Sequence, residues 1–436
     1  MKNQADKTAD TAFDPVKSGL IIFFAVLCLY FSFDLFADPH AASRRYRMLT
    51  YPIFTAICLA WVFHTAVFLI RKAQAIRVWR SGIILCVLTS LLLSAGIFRI
   101  SPQKLRIFDD APDRISTSIA FSKFHRCERL HAGFWQPDGS LTDTASSRTA
   151  RSPFFAYLVS VIHSFTGYRI ENIFLANWIV LNAILIIASL SMLFFFGKTA
   201  AICTQLLILS QPLVLYVTES ACYEGVGAVA LMVLLCASYR IISQGPGQHS
   251  ASFLMLAAAA GIHCRPEMIA LIALVFLITA VFSKSWLFTR ASAISGITLF
   301  LSVMPYIWHR ISFKWTYPTM NIKGSGGLGV AAPTVSKYTD GFIQSFIKSF
   351  SLSAESFFKI SDVSAFNGLL NYIFLIAVLF CMLILFTGRM KIPRQTLMAV
   401  FSPAACIISY VLLISIIGWS ADHPNTARYF IFLPIA

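Results

Sequence analysis

The sequence predicts an all-α polytopic membrane protein, from its composition and from the spacing of its apolar runs. Of the 436 residues, 57% are hydrophobic and only 12% are charged. The mean hydropathy is +0.73. Apolar runs recur from end to end, and about 20 apolar residues make a helix long enough to cross a ~30 Å hydrocarbon layer. We therefore expect a bundle of about 11 to 12 transmembrane helices with two large outer loops.

The apolar runs and the polar intervals between them define the expected organisation of the chain. The expected spans are 19–38, 50–70, 81–98, 173–196, 199–217, 224–242, 251–264, 266–283, 289–308, 368–387 and 396–418. A further apolar segment begins at Arg428. The expected parts are N-terminal helices in 1–98, an outer loop in 99–172, a transmembrane core in 173–308, a second outer loop in 309–367 and C-terminal helices in 368–436.

The basic residues between the spans predict a cytoplasmic N-terminus. In that orientation the inner segments hold fourteen Lys and Arg residues, and the short outer loops hold five. Short loops rich in Lys and Arg remain on the cytoplasmic side. A cluster of Arg44, Arg45 and Arg47 favours the opposite orientation. The count as a whole predicts that the large loops face outward, into a bacterial periplasm or an equivalent lumen, and the expected location is a bacterial inner membrane.

Neither nucleic acid nor a cofactor is expected as a partner. The net charge is +16, but the Lys and Arg residues lie in short segments beside apolar runs, as expected next to anionic lipid headgroups. The ten cysteines form no paired CxxC spacing of the kind that holds zinc. No metal site is predicted, although the sequence leaves a requirement for a divalent cation open.

The first outer loop contains two adjacent carboxylates, Asp109 and Asp110, in the stretch RIFDDAPDRIS. One interpretation is a helix cap, because an Asp before Ala-Pro can accept hydrogen bonds from the first amides of a helix. The other is a general base, because a carboxylate beside a second carboxylate, at a membrane surface, has a raised proton affinity. Farther along, Ile115 to Leu130 has the pattern of an amphipathic helix at the headgroup level.

Further charged groups occur on the same predicted side of the membrane. They are Glu219 and Glu224 in a short turn, His263, Arg265 and Glu267 in an interrupted apolar run, and Arg428 at the start of the last one. The run before Arg265 is too short for a full crossing, and an ionised Arg below the surface costs several kcal/mol unless it is paired or faces a wet cavity. A structural pair of Arg265 with Glu267, and an interfacial anchor at Arg428, are the open alternatives.

Five segments in order resemble the GT-C membrane glycosyltransferases, a superfamily that includes protein O-mannosyltransferases, aminoarabinose transferases and mycobacterial arabinofuranosyltransferases. The segments are FDDAPD, RSPFFAYLVSVIHSFTG, YVTESACYEG, GIHCRPEMIAL and ARYFIFLP. The resemblance implies a GT-C-like bundle and the inverting transfer of a sugar from a polyprenyl-phosphate carrier to an acceptor hydroxyl on the outer face. The acceptor would be a glycan, a lipid or a protein.

The resemblance also implies roles for individual residues. Asp109 or Asp110 would be the catalytic base, and Arg265 and Arg428 would hold the donor phosphate. Glu219, Glu224, His263 and Glu267 are further candidates for substrate binding, because they share the same predicted side. The alternative function is a transporter or flippase of lipid-linked glycans. Such a protein would place charges along several spans and show internal repeats, which this sequence does not.

Overall fold

A computed structural model describes most of the chain between residues 39 and 316. The described residues are 39–71, 77–100, 110–137, 141–147, 149, 152–220, 223–245, 248–265, 268–283 and 289–316, with isolated positions between 344 and 376. The expected spans 19–38, 368–387 and 396–418 and the segment from Arg428 lie outside the described residues, as does most of the second outer loop.

Residues 39–316 form eleven helices and one hairpin within the described ranges. The helices are α1 (Pro39–Arg71), α2 (Arg80–Ile100), α3 (Asp110–Phe124), α4 (Phe154–Thr166), α5 (Asn172–Phe196), α6 (Lys198–Leu209), α7 (Pro212–Thr218), α8 (Glu224–Gln244), α9 (Gln248–Cys264), α10 (Met268–Phe282) and α11 (Arg290–Thr316). The strands β1 (Arg129–Trp135) and β2 (Leu141–Ser147) pair antiparallel, with Arg129 opposite Ser147 and Trp135 opposite Leu141.

Four of the described helices are long and apolar enough to cross a membrane, which confirms the predicted multi-pass, all-α class. They are the segment His40–Ile70 of α1, and α2, α5 and α8. The helices α6 and α7 together would add a fifth crossing. Large apolar side chains such as Leu92 and Ile70 are 73% and 75% exposed, as expected where lipid is the solvent.

Helix α9 is the centre of the bundle, because it packs against α1, α4, α8, α10 and α11. Its sequence from Ala257 to Gly261 contains only small residues, and all of them are buried. A Cβ atom added to Gly261 would lie 3.2 Å from the terminal methyl of Met268. Small side chains allow neighbouring helix backbones to approach closely, so this stretch makes the crowded centre possible.

Helix α2 is joined to α5 and α6 by small and polar residues. Its buried positions Gly82, Cys86, Ser90 and Ser94 recur every four residues and therefore form one stripe. The hydroxyls of Ser90 and Ser94 both donate to Oδ1 of Asn182, each over 3.0 Å. These hydrogen bonds satisfy polar groups that lipid cannot, and they hold α2 against α5.

The expected single span 199–217 is wrong in detail, since two helices form it and bend by 72° between them. The break falls at Ser210 and Gln211, immediately before Pro212. A proline disfavours the helical conformation of the preceding residue, and Gln211 is extended, with φ −84° and ψ 116°. Helix α7 then starts with the proline, whose missing N–H is not needed at that position.

The expected amphipathic helix Ile115–Leu130 is also partly wrong. Helix α3 begins at Asp110 and ends at Phe124, and β1 has begun by Arg129. The chain leaves the helix at His125, which has a positive φ of 52°. The buried face of α3 is mostly small and polar, and it packs against α4 and β1. The predicted helix extended past Phe124 because Cys127 continued its apolar pattern. Cys127 is instead buried beside α1, in the connection to β1.

Helices α1 and α11 are longer than the apolar runs that predicted them. Helix α1 begins at Pro39, although the apolar run begins only at residue 50. Helix α11 continues to Thr316, so the first residues of the expected second outer loop are helical. In both helices the additional turns carry basic residues, which hydropathy alone assigns to a loop.

Candidate functional site

One end of the bundle collects the buried charges of the described residues. Among the described residues, five Asp, Glu or Arg side chains are at most 3% exposed: Asp113, Arg114, Glu128, Glu224 and Arg265. They come from the start of α3, the connection before β1, the start of α8 and the residue after α9. Helices α8 and α9 are packed neighbours separated by three residues, so the start of one and the end of the other share this end. We call it the charged end.

Two arginines at the charged end share one aromatic ring. The guanidinium carbon of Arg114 lies 4.1 Å from the ring centre of Tyr223. That of Arg265 lies 5.8 Å from the same ring centre. Both distances are within the range of cation–π attraction, which is stronger when the groups are shielded from water. Tyr223 therefore brings together a basic residue of α3 and one of the α9–α10 break, which are remote in sequence.

Asp113 ties the start of α3 to its surroundings. Its Oδ2 accepts a hydrogen bond from the Thr149 hydroxyl over 3.0 Å. Its Oδ1 lies 3.4 Å from Nε of Arg129, at the start of β1. The carbonyl of Thr149 in turn lies 3.0 Å from Nε2 of His309, on α11. Asp113 thus fixes the position of the neighbouring Arg114 through two elements outside its own helix.

The connection between α3 and β1 is anchored to α1. The N–H of Cys127 donates to the carbonyl of Arg47 over 3.0 Å. Nε of Arg47 lies 2.5 Å from Oε1 of Glu128, and the Ser146 hydroxyl donates to Oε2 of Glu128 over 2.6 Å. Burial raises the pKa of the Cys127 thiol, and the negative charges of Asp113 and Glu128 add to the effect. A protonated thiol in this position acts as a small apolar side chain.

Several sequence-predicted residues lie at the charged end. Asp110 is the first residue of α3, a position that fits either the cap or the base interpretation. Arg265 and Glu224 are buried there, and Glu219 follows α7 and is half-buried. Asp109, Glu267 and Arg428 lie outside the described residues. The catalytic and binding roles of these seven residues remain predictions.

His263 has the environment of a packing residue. Its ring is buried, with its centre 4.8 Å from that of Phe54 and 6.5 Å from that of Phe154. Its Nε2 lies 2.6 Å from the carbonyl oxygen of Ser302. These contacts join α9 to α1, α4 and α11, and the role of His263 in substrate binding stays a prediction.

Sequence reasoning did not select Arg114, Tyr223, Arg129 or Thr149. A signal for Arg114 was present, because Asp110 and Arg114 are four residues apart and so lie on one face of the helix. Tyr223 precedes Glu224 in the short turn that had been chosen only for its carboxylates. Among the described residues, no group of three or more His, Cys, Asp or Glu side chains is placed to hold a metal ion.

Comparisons with known proteins show a distant structural likeness. No protein-family model and no curated protein matches the chain. ArnT from Cupriavidus metallidurans in the apo state is similar with a TM-score of 0.46 and 12% identity, over 82% of this chain and 59% of that one. The crystal structure of ArnT bound to undecaprenyl phosphate has a TM-score of 0.43 and 12% identity, over 84% of this chain and 59% of that one. The chain thus spans less than two thirds of the length of these two structures.

Proposed function

We propose that this protein is a GT-C membrane glycosyltransferase that moves a sugar from a polyprenyl-phosphate carrier to an acceptor hydroxyl. The observation that carries the proposal is the pair of buried arginines on Tyr223, with guanidinium carbons 4.1 Å and 5.8 Å from its ring centre. The five sequence segments that resemble this superfamily also support it. FDDAPD begins the helix that carries Arg114, YVTESACYEG contains Tyr223, and GIHCRPEMIAL contains Arg265.

Buried guanidinium groups suit the leaving group of this reaction. Taking an arginine out of water costs several kcal/mol, so its presence at depth marks a functional site by default. A planar guanidinium donates two parallel hydrogen bonds to a phosphate. Negative charge grows on the carrier phosphate as the sugar leaves, and preorganised cations in a site that excludes water stabilise that charge. In this proposal Arg114 and Arg265 bind the donor phosphate, assisted by Arg428.

The start of α3 supplies the base in this proposal. Asp110 lies one helical turn before Arg114, so the proposed base and a proposed phosphate ligand are neighbours on one face of α3. Asp110 or Asp109 accepts the proton of the acceptor hydroxyl as its oxygen attacks the anomeric carbon. The bond from that carbon to the phosphate oxygen breaks with inversion, and the free polyprenyl phosphate leaves. The base and the arginines thus serve opposite sides of the reacting carbon.

The proposal also places the reaction on the outer face of a bacterial inner membrane. The charge count puts the connection between α2 and α5 outside, and this connection contains α3, the hairpin and α4. A donor attached to a lipid then enters sideways from the bilayer. No nucleotide-binding loop is required, because the carrier lipid brings the activated sugar.

A flippase or transporter of lipid-linked glycans is the second candidate. The 72° bend between α6 and α7 favours it, because interrupted helices line the substrate paths of many transporters. However, the buried acidic and basic residues of the described chain lie at one end, and Ser, Asn and Gln side chains make the polar contacts within α2, α5 and α6. A path through the membrane would distribute charge along its length.

Reconstitution separates the two candidates. The full-length protein is placed in liposomes with a short-chain polyprenyl-phosphate sugar, labelled in the sugar, and a membrane extract from a deletion strain as the acceptor source. Transfer of label to an extract component, lost in Asp110→Asn together with Asp109→Asn, supports the glycosyltransferase. Movement of the intact donor between leaflets, without any transfer and unaffected by these substitutions, would show a flippase instead.

A further inference from the structure

The arginines at the start of α1 conflict with the charge distribution of the rest of the chain. Arg44, Arg45 and Arg47 lie on the side that the overall count assigns to the outside, where basic residues are depleted in short segments. They are also not in a loop, because α1 begins at Pro39. A basic cluster kept against the general tendency requires a reason of its own.

Two members of this cluster, Arg44 and Arg47, line a cleft with a volume of about 450 Å³. Its lining comes from the start of α1 and from the connection after α3: His40, Ser43, Arg44, Arg47, Met48 and Arg126. The six described residues that line it include no acid. A volume of this size is within the range of small-molecule sites, roughly 300 to 1,000 Å³. The cleft therefore has both the volume and the charge for an anionic group.

Arg47 is held in place at the edge of this cleft. Its Nε contacts Oε1 of Glu128 over 2.5 Å, and Glu128 is fixed by Ser146. Arg44 and Arg126 are exposed, so they offer their guanidinium groups to the cleft from two separate elements. With three arginines and one neighbouring carboxylate, the net charge of the rim is +2, which matches a phosphate monoester dianion.

The location indicates that the anion belongs to a lipid. Residues His40–Ile70 of α1 form a candidate span, so the first two turns of the helix lie at the boundary between the hydrocarbon and the water. Anionic headgroups are found at this depth, and basic pockets beside spans bind them. Met48, which is 52% exposed, adds an apolar side chain to the lining of the cleft.

We propose that this cleft binds the phosphate monoester headgroup of an anionic membrane lipid through Arg44, Arg47 and Arg126. The cleft is a different site from the buried arginines at Tyr223, since Arg44 and Arg126 are exposed whereas Arg114 and Arg265 are 3% and 2% exposed. The inference does not depend on the sugar-transfer reaction. Binding here would hold the start of α1 and the α3–β1 connection against the membrane surface.

The test uses the full-length protein in zwitterionic detergent, titrated with short-chain phosphatidic acid, short-chain phosphatidylglycerol or inorganic phosphate. We expect the monoester lipid to bind most tightly. The double variant Arg44→Gln, Arg126→Gln should bind it about 30-fold more weakly, from the usual contribution of two basic side chains beside anionic headgroups. Both positions are exposed, so the variant should fold normally, as followed by its unfolding temperature.

The matched control is Arg77→Gln, Arg80→Gln, which removes two exposed arginines at the opposite end of the bundle. Equal weakening of lipid binding in both double variants would show that binding depends on surface charge in general and not on the cleft, and it would overturn the proposal. Inorganic phosphate that binds as tightly as the lipid would show a site for free phosphate. Absence of lipid binding in the wild type, as would follow if residues 1–38 fill the cleft, would also overturn it.

Discussion

The guanidinium carbon of Arg114 lies 4.1 Å from the ring centre of Tyr223, on an element more than one hundred residues away in the chain. The same ring has Arg265 at 5.8 Å. One aromatic ring therefore contacts two cations that would otherwise repel each other. An anion such as a phosphate gains from such a pair only if the spacing of the two cations is kept, so under the proposed function Tyr223 would be a positioning residue.

The first prediction concerns this ring. Tyr223→Phe keeps the aromatic face and should retain donor affinity, whereas Tyr223→Leu should weaken it by about 0.5 to 2 kcal/mol, the usual range for a cation–π contact. Binding of a short-chain polyprenyl-phosphate sugar in detergent measures the effect. Tyr239→Leu, on the opposite end of α8, is the matched control and should leave the affinity unchanged. Equal losses in the Phe and Leu variants would indicate that the hydroxyl, not the face, matters.

A second prediction concerns the buried arginine after α9. Arg265→Lys keeps the charge but loses the planar fork, so donor binding should weaken, and Arg265→Ala should weaken it by about 1.5 to 3 kcal/mol. Arg240→Lys is the control, because Arg240 also covers an aromatic ring, at 4.7 Å from the centre of Phe68, but on the far end of α8. If Arg265→Ala lowers the unfolding temperature while the folded fraction binds donor normally, Arg265 has only a structural role.

The third prediction separates the carboxylates of the FDDAPD segment. Asp110→Asn or Asp109→Asn should abolish transfer while donor binding persists, because an amide keeps the shape but cannot accept the proton. Asp113→Asn should instead destabilise the fold, by about 1 to 3 kcal/mol, since Asp113 is buried between Thr149 and Arg129. Turnover and thermal unfolding are measured on all three. Normal turnover in both Asp110→Asn and Asp109→Asn would establish the helix cap as their only function.

Membrane orientation gives the fourth prediction. Ala132 is exposed in β1 near the charged end, and Val78 is 80% exposed between α1 and α2 at the other end. In a background lacking the native cysteines, Ala132→Cys should react with an impermeant maleimide in spheroplasts. Val78→Cys should react only after the membrane is opened. The reverse pattern would place the charged end in the cytoplasm, and the outer-face reaction would be refuted with it.

The fifth prediction follows from the raised pKa of Cys127. A free thiol ionises near pH 8.5, so at that pH the buried thiol should remain protonated and resist iodoacetamide until the protein is denatured. The free energy of unfolding should fall as the pH rises, because above about pH 8.5 the unfolded chain releases a proton that the folded chain retains. The variant Cys127→Ala should therefore lose less stability than the wild type between pH 8 and pH 10. Rapid modification of native Cys127 would contradict the buried environment.

Much of the fold could be predicted because the bilayer imposes a simple rule on the chain. Helices α2, α5 and α8 begin and end within two residues of the expected spans, since hydropathy changes sharply at their ends. Hydropathy fails where the chain leaves the hydrocarbon. The basic first turns of α1 look like a loop by composition, although the same backbone hydrogen bonds continue through them.

The sequence could predict on which side of the membrane the candidate site lies, but not which of its residues contact one another. Charge counting assigned Asp110, Glu224 and Arg265 to one face, and the structure places all three at one end of the bundle. The pairing of Arg114 with Tyr223 depends on how α3 packs back onto the bundle. That packing rests on the Asp113 contacts and on the turn at His125, neither of which has a periodic signature in the sequence.

The bond between α2 and α5 sets an order of events during biogenesis. Ser90 and Ser94 emerge from the ribosome 92 and 88 residues before Asn182, their shared acceptor. While it waits in lipid, α2 has partial substitutes within its own backbone, such as the carbonyl of Leu91 for Ser94. Integration of α2 and its docking are therefore separate steps, and the second occurs only when α5 arrives. Asn182 would hold α2 in place only after α5 has been inserted. Its loss should therefore leave α2 inserted but vulnerable to membrane proteases that remove unassembled helices.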